Sequence, residues 1–259
     1  MNLSRRVPGF ERFRAHLPGI SAVHGPFIAL IALAFISAAT AGFVVADRQG
    51  WFWAAVTELA AFAFVIAWTG QAILRSKSYR KRWGDRAYRN AFAMHVLPGM
   101  PVMIAAIAHI GYMPGPFIPF GPARLPILIL ASLLAVVGVA LWIRSMFAFG
   151  VDNLALLYVY FPEEGRLVDS SIYAVLRHPV YAAATYVCLA LGLWRGTWLS
   201  LAFGLLAPFG LTVWLRLVEE RELIERFGEG YREYRRRVPA FYPRPRDWGT
   251  VLRFLLAGR

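Results

Sequence analysis

The sequence contains few charged residues, a single cysteine and no recognisable cleavable leader. Charged residues make up 17% of the 259 positions and hydrophobic residues 58%, whereas soluble domains are usually about 25% charged and about 45–50% apolar. This balance excludes an ordinary soluble domain and is typical of an integral membrane protein. The lone Cys188 excludes an intrachain disulfide and a cysteine-based metal cluster, and no metal site is expected. The first apolar run does not end in a convincing cleavage site, so we expect no cleaved signal peptide.

The net charge of +13 raises the question of nucleic-acid binding. The basic residues, however, lie between apolar runs, where they flank membrane spans. The sequence therefore predicts that these basic residues interact with the lipid bilayer and that the protein does not bind nucleic acid.

Six stretches are apolar enough to cross a bilayer core of about 30 Å, which needs roughly 20 residues of helix. The fifth is short, but Arg177 and Arg195 flank it and can extend their side chains to the interface. The sixth continues as a polar helix over 216–227. No soluble domain is left over, so the sequence predicts one all-α, polytopic membrane domain over 1–259. The six predicted spans are 25–46, 51–74, 91–112, 125–148, 179–194 and 196–215.

The loop charges predict the orientation of these spans. Basic residues number four in 1–20, seven in 75–89 and eleven from Arg216 onward. The loops on the opposite side hold only Arg48, Arg124 and Arg195. Because basic loops stay in the cytoplasm, we expect both termini there, in a bacterial-type inner membrane.

The stretch YAVLRHPVYAAA, residues 173–184, places Arg177 and His178 directly before a proline at the start of an apolar run. Pro179 suits the first position of a helix, and the free backbone N–H groups just beyond it can bind a carboxylate. The alternative interpretation is structural: His178 caps the helix, and Arg177 reaches the membrane surface.

A second stretch, RLVEERELIERFGEGYREYRRRVPAFYPR, covers residues 216–244. Gly228 and Gly230 are expected to break the helix, after which Tyr231 and Tyr234 share one face of a renewed turn. Its alternative interpretation is a solvated helix with ion pairs four residues apart.

Taken together, the two stretches carry an ordered set of motifs over 163–243. This set resembles the isoprenylcysteine carboxyl methyltransferase-like and phospholipid methyltransferase superfamily of integral membrane methyltransferases. The chain departs from the family pattern at Ser171-Ile172, where Gly-Pro is usual, and at Ala183, where glycine is usual. The matching residues are Leu167-Val168, Tyr173, Arg177-His178-Pro179, Tyr181, Glu219-Glu220, Leu223, Phe227-Gly228, Tyr231, Tyr234 and Val238-Pro239.

The resemblance divides the single domain into a four-helix part over 24–148, a cofactor-binding core over 163–243 and an interfacial tail over 244–259. It implies S-adenosylmethionine as methyl donor, bound at the cytoplasmic end of the core. The implied cofactor-binding residues are Tyr173, Leu176, Arg177, His178, Pro179, Tyr181, Glu219, Glu220, Tyr231 and Tyr234.

Three residues are candidates for the methyl-transfer chemistry itself. Arg216 and Glu219, three residues apart, are expected to hold an acceptor anion or take its proton; the alternative is a surface ion pair. Arg144, near the end of the fourth span, is a further possible anion holder because intramembrane charges usually have a role or a partner. We expect a lipophilic or small apolar acceptor: a prenylcysteine or lipid carboxylate, a phospholipid amine, or a small thiol.

Two other functions remain open from the sequence: a membrane sterol reductase that uses NADPH, and a non-catalytic protein with a degenerate pocket. His95 and His109 have no metal-binding spacing and are expected to be hydrogen-bonded on helix faces, and Glu58 has no assigned role. The two chain ends, NLSRRVPGFERFRAHL and DWGTVLRFLL, have the composition of helices that lie in the membrane surface.

Overall fold

The structure is a computed structural model that describes residues 8–17 and 24–257. The described residues form helices and loops and contain no β-strand. The longer helices are α2 (His24–Gln49), α3 (Trp51–Leu74), α6 (Leu97–Ile110), α7 (Arg124–Phe149), α10 (Pro179–Arg195) and α11 (Trp198–Trp214). The shorter ones are α1 (Phe10–Ala15), α4 (Ser76–Trp83), α5 (Ala87–Ala91), α8 (Val151–Leu154), α9 (Leu157–Tyr160), α12 (Glu220–Phe227), α13 (Glu229–Arg237) and α14 (Trp248–Ala257).

Shorter helical turns join or precede these helices. The π-helical turn Phe92–Val96 joins α5 to α6, and a second π-helical turn, Leu215–Glu219, joins α11 to α12. Turns of 3-10 helix lie at Gly84–Arg86, Gly121–Ala123, Pro162–Glu164, Ser171–Ala174 and Pro245–Asp247.

The prediction of an all-helical, polytopic membrane protein is confirmed. Five helical stretches of the described chain are long and apolar enough to cross a membrane, judged by length and composition. The predicted fifth span is α10, which at 17 residues is shorter than these five. The five stretches are Gly25–Gln49, Trp51–Leu74, Ser76–Ile110, Gly121–Phe149 and Trp198–Phe227.

The third span differs most from its prediction. The residues Gly99-Met100-Pro101 within this span favour an interruption of the helix, but Pro101 lies inside α6 and the irregular turn comes earlier, at Phe92–Val96. Pro98 has no N–H, so it cannot bond the carbonyl of Met94 four residues before it. The indole Nε1 of Trp68 donates to that carbonyl oxygen instead, at 2.8 Å, and so satisfies it from a neighbouring helix.

Close backbone contact joins α10 and α11 into a hairpin. Gly196 takes a left-handed conformation at the end of α10, and the hydroxyl of Thr197 caps α11 by accepting the Ser200 N–H at 3.2 Å. A methyl group on Gly192 would lie 2.8 Å from the Ser200 carbonyl oxygen, and one on Gly204 would lie 2.8 Å from that of Cys188. These small residues therefore serve helix approach.

The two chain ends pack against the helices. The buried side chains of Val251 and Phe254 attach α14 to the hydrophobic core around α7 and the Ser171–Ala174 turn. At the other end, α1 packs on α8, and Arg12 approaches the carboxylate of Asp152 at 3.9 Å. Residues 2–7 of the predicted N-terminal surface helix lie outside the described residues.

Candidate functional site

The start of α10 is held by the chain segment that follows α13. Pro179 occupies the first position of α10, as the sequence predicted. The backbone N–H of Arg177 donates to the Pro239 carbonyl at 3.0 Å, and that of His178 donates to the Ala240 carbonyl at 3.2 Å. These two bonds join the two halves of the motif set at their backbones.

The second half of the motif set begins at the π-helical turn Leu215–Glu219. Its hydrogen bonds reach five residues along the chain instead of four, and such turns occur frequently at functional sites. The wider turn breaks the spacing that would stack Arg216 on Glu219 in a regular helix. Arg216 is exposed, and no ion pair joins it to Glu219 in the structure.

His178 lies between two carboxylates. Its Nδ1 is 3.5 Å from Glu219 Oε1 and its Nε2 is 3.4 Å from Glu220 Oε1, and the residue is only 6% exposed. Burial alone would lower the pKa of His178, but hydrogen bonds and charge from Glu219 and Glu220 outweigh it, so the pKa is raised. The ring is therefore favoured as an imidazolium, which donates from both nitrogens.

Glu220 is fully engaged by residues of this chain. Arg177 Nε donates to its Oε1 at 2.9 Å, Arg235 Nε lies 3.3 Å from its Oε2, and the Tyr231 hydroxyl donates to Oε1 at 3.5 Å. Arg177 also donates through Nη1 to the Val238 carbonyl at 2.5 Å. Glu220 therefore fixes the positions of Arg177 and His178.

Glu219 is the more accessible of the two acids, with 23% of its side chain exposed. The Tyr181 hydroxyl donates to its Oε2. The Trp214 indole N–H points at both groups, 3.3 Å from Glu219 Oε2 and 3.2 Å from the Tyr181 oxygen. Glu219 thus presents a carboxylate surrounded by the aromatic rings of Tyr181, Trp214 and His178.

Tyr173 and Tyr234 form the wall beside this network. The Tyr234 hydroxyl donates to the Tyr173 carbonyl at 2.7 Å, and the Tyr173 ring stacks on Phe149 at 5.1 Å between centroids. The Tyr173 hydroxyl is buried without a hydrogen-bond partner among the described residues, and burial raises the pKa of this phenol. A buried donor of this kind is available to a ligand.

The structure brings most of the predicted site residues together. Arg177, His178, Tyr181, Glu219, Glu220 and Tyr231 form one network, Tyr173 and Tyr234 adjoin it, and Pro179 begins its helix. Leu176 is buried in the hydrophobic core and contributes packing.

Two of the residues predicted for chemistry lie apart from the network. Arg144 Nη2 donates to the Leu256 carbonyl at 3.1 Å, so this cation binds the C-terminal helix. Arg216 projects outward from the π-helical turn. Their predicted roles in anion binding therefore find no contact with Glu219 or His178 in this structure.

Sequence reasoning missed two members of the network. Trp214 was counted only as an apolar residue of the sixth span, although it lies five residues before Glu219. Arg235 is one of the eleven basic residues from Arg216 onward and has no predicted role at the site. No spacing rule identified either residue, because a π-helical turn brings Trp214 to Glu219 and a tertiary contact brings Arg235 to Glu220.

No group of three or more His, Cys, Asp or Glu residues suited to a metal ion occurs within 8–17 and 24–257.

Comparison with known families gives a match over residues 126–230, to the family described as phospholipid methyltransferase. The matched segment runs from α7 into α13 and contains His178, Glu219 and Glu220. It confirms the resemblance to the isoprenylcysteine carboxyl methyltransferase-like and phospholipid methyltransferase superfamily. No curated protein and no solved structure matches the chain. The family match and the apolar helices together support a membrane methyltransferase.

Proposed function

We propose that this protein is an S-adenosylmethionine-dependent membrane methyltransferase that acts on a lipophilic or small apolar acceptor. The observation that carries the proposal is the network of His178, Tyr181, Trp214 and Glu219, inside the segment that matches the methyltransferase family. The donor would bind between the start of α10 and residues 216–234.

The residues present fit this donor chemically. When bound, S-adenosylmethionine would supply a methyl group on a sulfonium cation: the acceptor bonds to the methyl carbon as the carbon–sulfur bond breaks, and S-adenosylhomocysteine leaves as a thioether. The donor also carries an ammonium and a carboxylate. A carboxylate within aromatic rings, as at Glu219, attracts a cation by charge and by cation–π attraction of roughly 0.5–2 kcal/mol. The free N–H groups after Pro179 suit an anion, and the unpartnered Tyr173 hydroxyl offers one more donor. His178 sits directly before them and contributes by holding Glu219 and Glu220 in place.

Glu219 and Glu220 have different roles in this proposal. Glu219 faces the ligand because part of its side chain is exposed, whereas Glu220 is held by Arg177 and Arg235. A carboxylate acceptor arrives as an anion and needs alignment and exclusion of water. An amine or thiol acceptor has a proton to lose, and Glu219, the more exposed of the two acids, is the carboxylate placed to take it.

The acceptor would enter laterally from the bilayer. Exposed apolar side chains cover α11 up to the turn that bears Glu219, among them Leu205, Phe209 and Leu217. In the membrane these side chains face lipid, so an apolar acceptor reaches the network without crossing water. The name of the matched family, phospholipid methyltransferase, supports a phospholipid amine among the three acceptor types.

A methyl-transfer assay with radiolabelled donor and purified full-length protein tests the activity. The three acceptors are a phosphatidylethanolamine, a prenylcysteine analogue and a short alkanethiol, each supplied in lipid nanodiscs. We expect at least one of them to be labelled. A hydrophilic, soluble thiol is assayed beside them, and labelling of that acceptor alone would contradict lateral entry.

Equilibrium binding separates this proposal from the two remaining functions. We expect the purified protein to bind S-adenosylhomocysteine; binding of NADPH instead would indicate a reductase, and binding of neither would indicate a non-catalytic protein. His178→Ala is expected to weaken S-adenosylhomocysteine binding at least tenfold, which equals about 1.4 kcal/mol. His16→Ala, which changes a histidine paired with Glu164 outside the network, is the matched control and should bind as the wild type does.

A further inference from the structure

A second cluster of ionisable side chains lies at the other end of the helices. It contains Asp47 near the end of α2, Glu58 in α3 and His109 in the last turn of α6. The chain just after His109 packs against the far end of α10, because Gly111 contacts Leu191. The 17 residues of α10, about 25 Å of helix, separate this end from His178.

The geometry of the cluster is close and largely buried. His109 Nδ1 lies 2.8 Å from Glu58 Oε2, and His109 Nε2 lies 3.0 Å from Asp47 Oδ1. The side chains of His109 and Glu58 are 0% exposed and that of Asp47 is 17% exposed. The ring of Phe43 stacks on the imidazole at 4.3 Å between centroids. Asp47, near the end of α2, is thus the most exposed member of the cluster.

Both ring nitrogens of His109 face carboxylate oxygens, and this arrangement requires a proton. A neutral imidazole has one N–H and one bare lone pair. With both acids ionised, the bare nitrogen would face a carboxylate oxygen at 3.0 Å or less, lone pair against lone pair. Two arrangements avoid this: an imidazolium between two carboxylates, or a neutral ring beside one protonated acid. Either way the cluster holds one proton more than three separate, deprotonated groups would.

The surroundings of the cluster supply little compensating positive charge. The other titratable side chains that face it are the Tyr112 ring, 4.9 Å from His109 between centroids, and the Cys188 thiol near Glu58. Within the described residues, Asp47 and Glu58 form ion pairs with His109 and with no other side chain. Glu58 Oε1 is buried without a hydrogen-bond partner among these residues. Because an unpaired buried charge costs far more than a neutral group, protonation is favoured here.

We propose that Asp47, Glu58 and His109 form a proton-binding site, open to water through Asp47, whose proton holds α2, α3 and α6 together. Loss of the proton places like lone pairs in contact inside the helix bundle and loosens this junction. The site lies away from the methyltransferase network, so the proposal does not depend on the proposed methyl transfer.

Nuclear magnetic resonance of ¹⁵N-histidine-labelled full-length protein in nanodiscs detects the proton directly. The His109 signal is identified by its loss in His109→Gln. At about pH 8, above the ordinary histidine pKa of about 6.5, we expect one of two results. The His109 ring is doubly protonated, or it is neutral and one of the two acids carries the proton. With a neutral ring, infrared spectroscopy should show a carboxylic-acid carbonyl band that Glu58→Gln or Asp47→Asn removes. A neutral ring without such a band would overturn the proposal.

A stability measurement tests the link to helix packing and does not need His109→Gln to fold. As the pH rises from about 6 to about 9, loss of the shared proton should lower the wild-type Tm by about 5 °C more than it lowers the Tm of Glu58→Gln. A glutamine amide can donate to a neutral ring, so this variant needs no shared proton. His95→Gln changes another buried histidine, with Tyr79 as its hydrogen-bond partner, and should keep the wild-type slope. Equal slopes in wild type and Glu58→Gln would overturn the proposed coupling.

Discussion

Arg177 Nε donates to Glu220 Oε1 at 2.9 Å, although 43 residues separate them in sequence. Both side chains are largely buried. The bond joins the residue before His178 to the residue after Glu219, so it sets the distance between the two faces of the proposed cofactor site. The network is therefore positioned by a tertiary ion pair as well as by the α10–α11 hairpin.

Removal of Arg177 should damage both stability and binding. Arg177→Ala leaves Glu220 without its closest cation, and breaking a buried pair in this way typically costs about 3 kcal/mol or more. We expect a lower Tm and weaker S-adenosylhomocysteine binding, measured by thermal unfolding and titration. Arg232→Ala removes an exposed pair with Glu229 on α13 and should cost less than about 1 kcal/mol. Equal losses in both variants would contradict the positioning role of Arg177.

The two neighbouring acids should respond differently to neutralisation. Glu219→Gln is expected to lower ligand binding and methyl transfer at least tenfold with little loss of stability, because Glu219 is partly exposed. Glu220→Gln should lower the Tm, because Arg177 and Arg235 both pair with this carboxylate. Thermal unfolding and titration of both variants test this division. The reverse pattern would show that Glu220 is the ligand-facing acid.

The raised pKa of His178 makes stability depend on pH. The folded protein holds a proton that the unfolded chain releases above about pH 6.5. Stability from the imidazolium is therefore fully present below that pH and is lost as pH rises through the raised folded-state pKa. Titration of ¹⁵N-labelled histidine should show the His178 signal changing above pH 6.5, and at lower pH in the double variant Glu219→Gln/Glu220→Gln. A His178 signal that changes at or below about pH 6.5 in the wild type would refute the raised pKa.

The orientation predicted from loop charge can be tested by cysteine labelling. In a Cys188→Ala background, Lys81→Cys and Arg236→Cys place thiols at exposed positions of α4 and α13. We expect a membrane-impermeant reagent to label these two from the same side, and Arg48→Cys from the opposite side. Labelling of Lys81→Cys and Arg236→Cys from opposite sides would refute the predicted topology.

Two glycines of α11 provide a matched test of helix packing. Gly204→Ala places a methyl group 2.8 Å from the Cys188 carbonyl oxygen, whereas a methyl group at Gly210 meets nothing within 4 Å. Gly204→Ala should destabilise the α10–α11 hairpin by about 1–3 kcal/mol. Gly210→Ala should be neutral or stabilising by up to about 1 kcal/mol, because alanine favours helix. Thermal unfolding of the two variants tests this difference in stability.

Helix positions were largely predictable because a bilayer demands long apolar runs. The second span was predicted at 51–74, and α3 covers Trp51–Leu74. The fifth was predicted at 179–194, and α10 covers Pro179–Arg195. Gly228 breaks the helix as expected, but Gly230 lies inside α13, because a single exposed glycine weakens a helix without ending it.

The residues of the candidate site were largely predictable from the sequence, but the contacts between them were less so. Motif order was enough to select His178, Glu219 and Glu220, but the pairing of Arg216 with Glu219 assumed a regular helix. The π-helical turn Leu215–Glu219 removes that pairing, and it depends on tertiary contacts that no local spacing records. The His109 cluster was hidden for a similar reason, since Asp47, Glu58 and His109 come from three different helices.

The length of α10 has a consequence for the lipid around it. Its 17 residues extend about 25 Å, whereas the hydrocarbon core of a bilayer is about 30 Å thick. Such hydrophobic mismatch is relieved by local thinning of the bilayer or by flanking side chains that reach the headgroups. Because α10 begins at the residue after His178, the mismatch acts directly at the candidate site. We therefore expect bilayer thickness to set how deep the His178 network lies below the headgroups, and acyl-chain length to be a variable that tunes access to it.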